Sequence, residues 1–293
     1  MAGLVKLFKQ KWNGPMEPTE SFAGRTIVVT GSNTGLGFEA ALKFVNLGAS
    51  KVILAVRSVQ KGEDARRLIE RSTGRRHCVE VWPLDMTDYS SIQSFADRAH
   101  KLERLDIAVL NAGVFSANFN IDRYGWERTV QVNTLSTTLL ALLLLPKLKA
   151  SQTSSSTPVL EFVSSGTHKM TTWSDEARAA EKPMDYFNQQ THFSANKQYA
   201  ASKVFLMCAL PHIANLATPV DSKPTVNVTS VCPGACKSSL GRDYIRWWAK
   251  PLIWLFFALF FRSASQGART LVSGTTLGEK GNAAFWQHDK LQE

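Results

Sequence analysis

The chain is poor in cysteine, with only Cys78, Cys208, Cys232 and Cys236 among its 293 residues. Four cysteines in a chain of this length do not form the dense disulfide framework of small secreted domains. Cys232 and Cys236 have no second Cys or His pair nearby, so the ligand spacing of a zinc site is missing. We therefore expect reduced, structural thiols and no bound metal.

Long apolar runs are also missing. No apolar stretch of the length of a signal-peptide core follows Met1, and the uninterrupted run Leu252–Phe261 is too short to cross a bilayer. These absences predict a protein that is not secreted and that lies in the cytoplasm. Leu4, Val5 and Phe8 nevertheless share one helical face with Trp12, and this face either packs on its own domain or contacts a membrane surface.

Acidic residues are fewer than basic ones: 24 against 34, for a formal net charge of +10. A basic surplus suits an anionic cofactor, an anionic membrane surface or nucleic acid. The basic residues are scattered, with only short pairs such as Arg66-Arg67, and no nucleic-acid-binding motif accompanies them. We therefore expect no nucleic-acid partner.

What the chain does have is a regular alternation of short apolar segments with helix patterns. Residues 1–20 predict an N-terminal extension that runs into a linker with two prolines, and residues 21–293 predict a single domain. The predicted strands are Arg25–Thr30, Lys51–Val56, His77–Leu84, Leu105–Leu110, Pro158–Val163, Thr225–Val231 and a short Ala283–Trp286. The predicted helices are Gly35–Leu47, Gln60–Ser72, Tyr89–Leu102, Tyr124–Lys149 and Ala195–Leu216. This order predicts an α/β fold, a doubly wound parallel sheet with helices on both faces.

A glycine-rich turn joins the first predicted strand to the first predicted helix. Gly31 permits a tight turn, while Gly35 and Gly37 let the backbone approach a phosphate and let the helix pack closely on the sheet. The N-terminus of the helix then faces the anion. The turn predicts a pyrophosphate site, with a purely structural turn as the alternative.

Tyr199 and Lys203 lie four residues apart in a predicted helix, so their side chains share one face. A free tyrosine has a pKa of ~10, and a nearby ammonium group stabilises its phenolate. The pair predicts proton transfer, with an ordinary helix pair as the alternative. Together with a pyrophosphate site, it favours hydride transfer between a nicotinamide cofactor and a carbonyl or alcohol.

In this order the motifs resemble those of the classical short-chain dehydrogenase/reductase superfamily, from about Arg25 to the C-terminus. The similar segments are Thr30 to Gly37, Leu84-Asp85-Met86, Leu110-Asn111-Ala112-Gly113, Tyr199-Ala-Ala-Ser-Lys203 and Pro233-Gly234. Three segments are most similar in sequence to the retinol-dehydrogenase-like branch and its fungal members: Asn33 to Gly37, Val56 to Ser58 and Val163 to Ser165. The resemblance implies a single Rossmann-type domain.

The resemblance also implies roles for individual residues. In the catalytic tetrad, Ser165 would orient the substrate oxygen and Tyr199 would exchange its proton, while Lys203 would hold the cofactor ribose and Asn133 a relay water. Ser164 is a weaker alternative to Ser165. The expected cofactor contacts are Gly31, Ser32, Asn33, Gly35, Leu36, Gly37, Arg57, Lys61, Asp85, Met86, Asn111, Ala112, Gly113, Tyr199, Lys203, Pro233 and Gly234.

Arg57 ends the second predicted strand, where the adenosine ribose should lie, and Lys61 follows one helical turn later. An acidic residue there would favour NAD by binding the 2′-hydroxyl, whereas an arginine accommodates a 2′-phosphate. We therefore expect NADP(H).

Two segments are expected on the substrate side, at about residues 167–193 and 237–263. The first makes the spacing from Ser165 to Tyr199 longer than in most relatives and is expected to form a lid. The second contains seven Trp and Phe residues between Tyr244 and Phe261. It could line the substrate pocket, dip into a membrane or form an oligomer interface, and all three favour a lipophilic substrate.

These features predict an NADP(H)-dependent oxidoreductase, such as a ketoreductase of secondary metabolism, acting on a retinoid-, steroid- or polyketide-like carbonyl or alcohol. A homodimer and a peripheral membrane contact are further expectations. The alternatives are a redox-silent member of the same fold and a membrane-associated interaction protein.

Overall fold

The computed structural model describes residues 8, 10–220, 222–237 and 259–292. In these residues the strands form one sheet and alternate with helices along the chain. The strands are β1 (Thr26–Thr30), β2 (Lys51–Val56), β3 (Val79–Pro83), β4 (Ile107–Leu110), β5 (Val159–Val163), β6 (Asn227–Cys232), β7 (Phe285–Gln287) and β8 (Lys290–Gln292).

The spatial order of the strands is β3-β2-β1-β4-β5-β6-β7-β8. All neighbouring pairs are parallel except β7 and β8, which form an antiparallel hairpin. In β1, Val28 is in register with Ile53 on one side and with Ala108 on the other. The strand order reverses between β1 and β4, and such a reversal opens a crevice at the carboxyl ends of the strands.

Helices cover both faces of the sheet, which confirms the predicted doubly wound fold. They are α1 (Gly35–Asn46), α2 (Val59–Thr73), α3 (Tyr89–His100), α4 (Arg128–Ala150), α5 (Asp175–Ala179), α6 (Pro183–Phe187), α7 (Ala195–Leu216) and α8 (Ala264–Gly274). One buried cluster contains apolar side chains of α1, α2 and α8, and the other contains those of α3, α4 and α7. The predicted strand positions and those of α1, α2, α3 and α7 agree with the structure to within a few residues.

Helix α4 begins at Arg128, four residues later than the sequence predicts. The carboxylate of Glu127 caps it by accepting hydrogen bonds from the amides of Thr129 and Val130, so the residues before Glu127 lie in a turn. Residues Gln131–Ser136 form a π-helical turn inside the helix. Among the described residues, α4 alone has the length and apolar composition of a membrane span, and 67% of its most apolar window is buried inside the protein.

Four elements of the structure were not predicted as such: the short helices α5 and α6 within the expected lid, helix α8 and strand β8. Helix α8 is short and its packed face consists largely of small residues, so few large apolar side chains mark it in the sequence. A Cβ atom on Gly267 would lie 2.6 Å from Leu36 Cδ2, and one on Gly274 would lie 2.3 Å from Glu161 Oε2. Glycine at both positions therefore allows α8 to pack directly on α1 and on the sheet.

Glu161 is an acidic side chain in the middle of the buried strand β5. It is 0% exposed, and neither carboxylate oxygen has a hydrogen-bond partner among the residues that the structure describes. Burial raises the pKa of this carboxyl well above its usual value. Glu161 therefore carries a proton inside the fold, because a neutral acid costs less to bury than a carboxylate.

Candidate active site

The glycine-rich turn follows β1 at the crevice. Gly31 and Gly35 have φ angles of 64° and 61°, in the left-handed region that favours glycine. A Cβ atom on Gly37 would lie 2.6 Å from both Gly31 O and Asn111 Nδ2, whereas a Cβ on Gly35 would meet no atom of the described residues within 4 Å. The turn is thus tightly packed on its inner side and open above Gly35.

The open side of this turn is the N-terminal end of α1. Thr34 precedes the helix without a capping hydrogen bond from its side chain, and the first turn contains no acidic residue. Helix N-termini of this kind attract anions through their amide groups and the helix dipole. The space above Gly35 and the absence of a competing carboxylate fit the pyrophosphate of a dinucleotide.

Asn111 and Ala112 follow β4 and form hydrogen bonds to Thr30, the last residue of β1. Asn111 Nδ2 donates to Thr30 O at 2.8 Å, and the amide of Ala112 donates to Thr30 Oγ1 at 2.8 Å. Ser32 is fully buried, and its hydroxyl donates to Val29 O at 2.8 Å. These three residues therefore fix the shape of the turn through contacts inside the protein.

The predicted ribose-binding residues lie at the ends of β2 and β3. Arg57 and Lys61 are exposed, Arg57 just before α2 and Lys61 in its first turn. The nearby acidic residues of α2 are engaged by its own arginines, Glu63 by Arg66 and Asp64 by Arg67. Asp85 is half-buried and accepts hydrogen bonds from the amide and the hydroxyl of Thr87. Met86 is buried beside it.

Tyr199 and Lys203 lie on the same face of α7, as predicted from their spacing, and the Lys203 ammonium is 5.8 Å from the centre of the tyrosine ring. Lys203 Nζ also donates to Val163 O, the last carbonyl of β5, at 2.9 Å. Burial raises the pKa of Tyr199 to about 12, and a hydrogen bond to Ser165 opposes this rise. Burial lowers the pKa of Lys203 to about 8. Near neutral pH the tyrosine therefore keeps its proton and the lysine keeps its charge.

Ser165 follows β5 and caps a short 3-10 turn, Gly166–Lys169, by accepting from the amide of Thr167 at 3.3 Å. Cys232, at the end of β6, joins this loop to the next one. Its sulfur accepts from the amides of Gly166 at 3.2 Å and Gly234 at 3.4 Å. Burial raises the pKa of the Cys232 thiol. The sequence predicted a structural thiol, but not that it would lie between two loops of the site.

Asn133 is buried in the π-helical turn of α4. Its side-chain oxygen accepts from the amide of Val114 at 2.8 Å, and its Nδ2 donates to Val114 O at 2.9 Å and to Ser202 Oγ at 3.1 Å. The amide group thus holds the loop after β4 against α7, next to Lys203. The predicted relay water remains a prediction.

The predicted lid contains α5, α6 and two 3-10 turns. Trp173 and Phe187 pack against Phe205 of α7, which fastens part of the segment to the domain. His168 Nδ1 contacts Ser165 O and His192 Nδ1 contacts Tyr186 O, so both histidines are engaged by backbone carbonyls.

Phe115 is a residue that the sequence reasoning missed. Its ring packs edge-on against Tyr199, with a centroid distance of 5.3 Å. An aromatic residue two positions after the Asn111-Ala112-Gly113 segment was the available signal. The other aromatic segment was predicted at Tyr244–Phe261. Its residues 244–258 lie outside the part of the chain that the structure describes.

The candidate residues thus lie in the loops and first helical turns that follow β1 to β6, except Asn133, Tyr199 and Lys203, which lie further along α4 and α7. The geometry brings together a tyrosine, a lysine and a serine beside an open glycine turn. This arrangement can exchange a proton with a bound oxygen, and its glycine turn fits a dinucleotide.

The chain is similar to known proteins both in sequence and in fold. The family model described as short chain dehydrogenase matches residues 25–174. The short-chain dehydrogenase/reductase ffsI of Aspergillus flavipes is 41% identical over 280 residues, covering 94% of this chain and 81% of that protein. The short-chain dehydrogenase/reductase phmF of Phaeosphaeria nodorum is also 41% identical, over 284 residues, covering 96% of this chain and 82% of that protein.

Among solved structures, the Pseudomonas aeruginosa RhlG/NADP active-site complex superimposes with a TM-score of 0.66 at 21% identity, over 93% of this chain and 97% of that one. At this identity the likeness concerns the fold. The family match and the fungal relatives carry the assignment: the chain belongs to the short-chain dehydrogenase/reductase family of oxidoreductases.

Proposed function

We propose that the protein is an NADP(H)-dependent oxidoreductase that interconverts a lipophilic carbonyl compound and its alcohol, with Tyr199 as the general acid and base. The observation that carries the proposal is the contact of Tyr199 with both Ser165 and Lys203 at the end of β5. A nicotinamide cofactor bound along the crevice would supply or accept the hydride. The residues of the chain would bind it, orient the substrate and move the proton.

The proton step follows from the environment of Tyr199. Because burial raises its pKa to about 12, the hydroxyl retains a proton that it can donate to a carbonyl oxygen becoming an alkoxide. The ammonium of Lys203, anchored on Val163 O, would then stabilise the phenolate. Ser165 would share a hydrogen bond with the same substrate oxygen and so hold it near Tyr199. In the reverse direction the phenolate would take the proton of the alcohol.

Replacing Tyr199 by phenylalanine tests this step. Tyr199→Phe keeps the ring contact with Phe115 but removes the transferable proton, so turnover should fall by about 10²–10⁴-fold while NADPH binding persists. Tyr124→Phe is the matched control, because its hydroxyl serves a hydrogen bond to Asp88 and should leave turnover unchanged. A Tyr199→Phe enzyme with a near-wild-type rate would contradict the mechanism.

The preference for NADP(H) rests on Arg57. Its side chain is exposed at the end of β2 beside Lys61, and the acidic residues of α2 are engaged elsewhere. A 2′-phosphate would gain a charge-assisted contact there, whereas the 2′-hydroxyl of NAD would gain less. The NADP complex of RhlG is compatible with this preference.

Arg57→Asp should reverse the order of affinities, so that NADH binds more tightly than NADPH. Arg71→Asp is the control for the same change of charge, because Arg71 is exposed at the far end of the same helix. Dissociation constants from quenching of protein fluorescence give the comparison. Equal affinities of the wild-type protein for NADPH and NADH would contradict the proposed preference for NADP(H).

A lipophilic substrate is supported by aromatic side chains around the catalytic tyrosine. Phe115 packs against Tyr199, and Phe119 packs against Phe193 at the end of the lid. Retinoid-, steroid- and polyketide-like ketones should therefore have higher kcat/KM values with NADPH than sugars or hydroxy acids. A preference for the polar compounds in such a screen would overturn this part of the proposal.

A peripheral membrane contact is a second proposal, and it rests on an exposed apolar group near the N-terminus. Phe8, Trp12 and Met16 are 46%, 65% and 75% exposed, and Leu259 is 43% exposed. Trp12→Gln should reduce sedimentation with anionic vesicles, whereas Met170→Gln, at a distant exposed site, should not. A cytoplasmic location, a homodimer and the absence of nucleic-acid binding remain predictions from the sequence.

A further inference from the structure

Residues 10–20, here named the N-terminal strap, lie across three elements of the domain. The amide of Met16 donates to Asp289 Oδ2 at 2.9 Å, at the tip of the β7–β8 hairpin. Arg269 of α8 donates to Pro15 O at 3.0 Å. Glu17 forms ion pairs with Arg269 and with Lys43 of α1. The strap therefore links the hairpin to α8 and to the helix that begins at the glycine-rich turn.

Arg262 is the buried residue at which the strap meets the interior. It is 1% exposed, and its Nε and Nη2 donate to Gln10 O at 2.8 Å and to Asn13 O at 3.2 Å. Nη1 donates to Pro233 O at 3.1 Å, and Nη2 is 3.1 Å from His288 Nδ1. The rigid fork of the guanidinium group thus joins the strap, the turn after β6 and the hairpin in one layer.

A buried arginine is costly unless its donors are satisfied. None of the ion pairs among the described residues includes Arg262, and its described acceptors are backbone carbonyls and an imidazole. Burial lowers the pKa of Arg262 accordingly. Packing alone would be served as well by an apolar side chain, so the charge is better explained by the directed hydrogen bonds it makes.

The hydrogen bond to Pro233 O acts on a turn that is held from both sides. Gly234 has a φ angle of 79°, and a Cβ atom there would lie 3.0 Å from Arg262 Nη1, so the guanidinium packs directly on the turn. On the other side, the amide of Gly234 donates to Cys232 Sγ, which also accepts from Gly166 beside Ser165. A change at Arg262 is therefore transmitted to the turn and not only to the strap.

The hairpin tip is strained in a way that fits this arrangement. His288 and Asp289 have φ angles of 56° and 55°, in the left-handed region, which non-glycine residues keep only where the surroundings impose it. His288 contacts Arg262 and Asp289 accepts from the strap. Both left-handed residues are thus held by the same layer of contacts.

We propose that the N-terminal strap, through Arg262, positions the Pro233–Gly234 turn for the nicotinamide end of the cofactor. Arg262 is then a positioning residue for the reaction and takes no part in the chemistry. This inference rests on the proposed function and on the expectation from the sequence that Pro233 and Gly234 contact the cofactor; Cys232 Sγ joins their turn to Gly166, next to Ser165 at the catalytic end of the crevice. It extends that function by making the strap a requirement for correct cofactor placement.

The test compares two ligands that differ only at the nicotinamide end: NADPH and 2′-phospho-ADP-ribose, which keeps the terminal ribose but lacks the nicotinamide ring. Arg262→Met keeps much of the side-chain volume but removes every donor. It should raise the Kd for NADPH about tenfold, on the order of one lost hydrogen bond, and leave the Kd for 2′-phospho-ADP-ribose within about twofold. Arg262→Lys keeps one donor for Pro233 O and should recover part of the NADPH affinity.

Arg269→Met is the matched control. It removes the contacts of α8 with Pro15 O and Glu17, but Arg269 has no described hydrogen bond to the turn after β6. It should lower the melting temperature and leave both Kd values unchanged. A purely structural Arg262 would behave in the same way.

Equal changes in the two Kd values for Arg262→Met, or no change in either, would overturn the inference. If Arg262→Met does not fold, Arg262→Lys and His288→Ala serve as the test variants. Each of them removes some of the hydrogen bonds around Arg262 and keeps others. A wild-type protein that binds neither ligand would instead refute the proposed function, so the two failures are distinguishable.

Discussion

The buried acid Glu161 makes the stability of this protein depend on pH in a direction that can be worked out. In the unfolded chain the carboxyl has an ordinary pKa near 4.5, whereas burial raises its pKa well above that value in the folded protein. Between the two values the folded chain holds a proton that the unfolded chain has released. The contribution of this carboxyl to the free energy of unfolding is therefore fully present below pH 4.5. It is lost as the pH rises towards the pKa of the folded state.

Glu161→Gln removes the titration while nearly keeping the shape. One pKa unit corresponds to about 1.4 kcal/mol, so the free energy of unfolding of the variant, minus that of wild type, should grow by about 1.4 kcal/mol per pH unit in this window. Over two pH units that is about 2.7 kcal/mol, a large part of the stability of a typical domain.

Urea unfolding followed by circular dichroism at pH 5, 6 and 7 measures this difference. Glu181→Gln is the control, because Glu181 is an exposed acid in the lid and its replacement should give a difference that stays constant with pH. If the Glu161→Gln difference is also constant, Glu161 is not protonated inside the fold and the reasoning from burial is wrong.

Three further predictions concern the site and its supports. Gly37→Ala should abolish most dinucleotide binding in fluorescence titrations, because the new Cβ would lie 2.6 Å from Asn111 Nδ2, and undiminished binding would contradict the packing described for the turn. Glu127→Ala should lower the free energy of unfolding by about 1–3 kcal/mol in chemical denaturation, since it uncaps α4 and leaves Gln198 Nε2 without its carboxylate; an effect below 0.5 kcal/mol would count against it. In carbonyl reduction, kcat/KM should fall as pH rises through about 8, where Lys203 loses its charge, and a flat profile from pH 6 to 10 would count against the role of its ammonium group.

The fold could be predicted from the sequence because the strands are short, apolar and separated by strong turn signals. Lys51–Val56 and Ala195–Leu216 have the predicted bounds, since a buried strand and a long helix each leave a clear pattern. Strand β8 could not be predicted, because three residues are too few to show an alternating pattern and its hairpin turn has no glycine.

The candidate site was predictable as far as its motifs are local. The spacing of Tyr199 and Lys203 indicates a shared helix face, and the structure places them on one. The contacts between distant segments have no local pattern. The hydrogen bonds of Arg262 to Gln10 and Asn13 join residues about 250 positions apart, and no periodicity in either segment indicates them. The N-terminal extension accordingly looked like a linker in the sequence.

The π-helical turn Gln131–Ser136 has a consequence for how this chain can be altered. Such a turn takes up one residue more than the regular helix around it, so the segment before it and the segment after it are out of phase. Asn133 lies within this wider turn, and from there its side chain forms hydrogen bonds with Val114 and Ser202. Removing a single residue here would restore an ordinary helix and rotate Asn133 away from both partners, even though every side chain of the site were still present. In this part of α4 the number of residues matters as much as their identity, and alignments of α4 should be read with a one-residue insertion in mind.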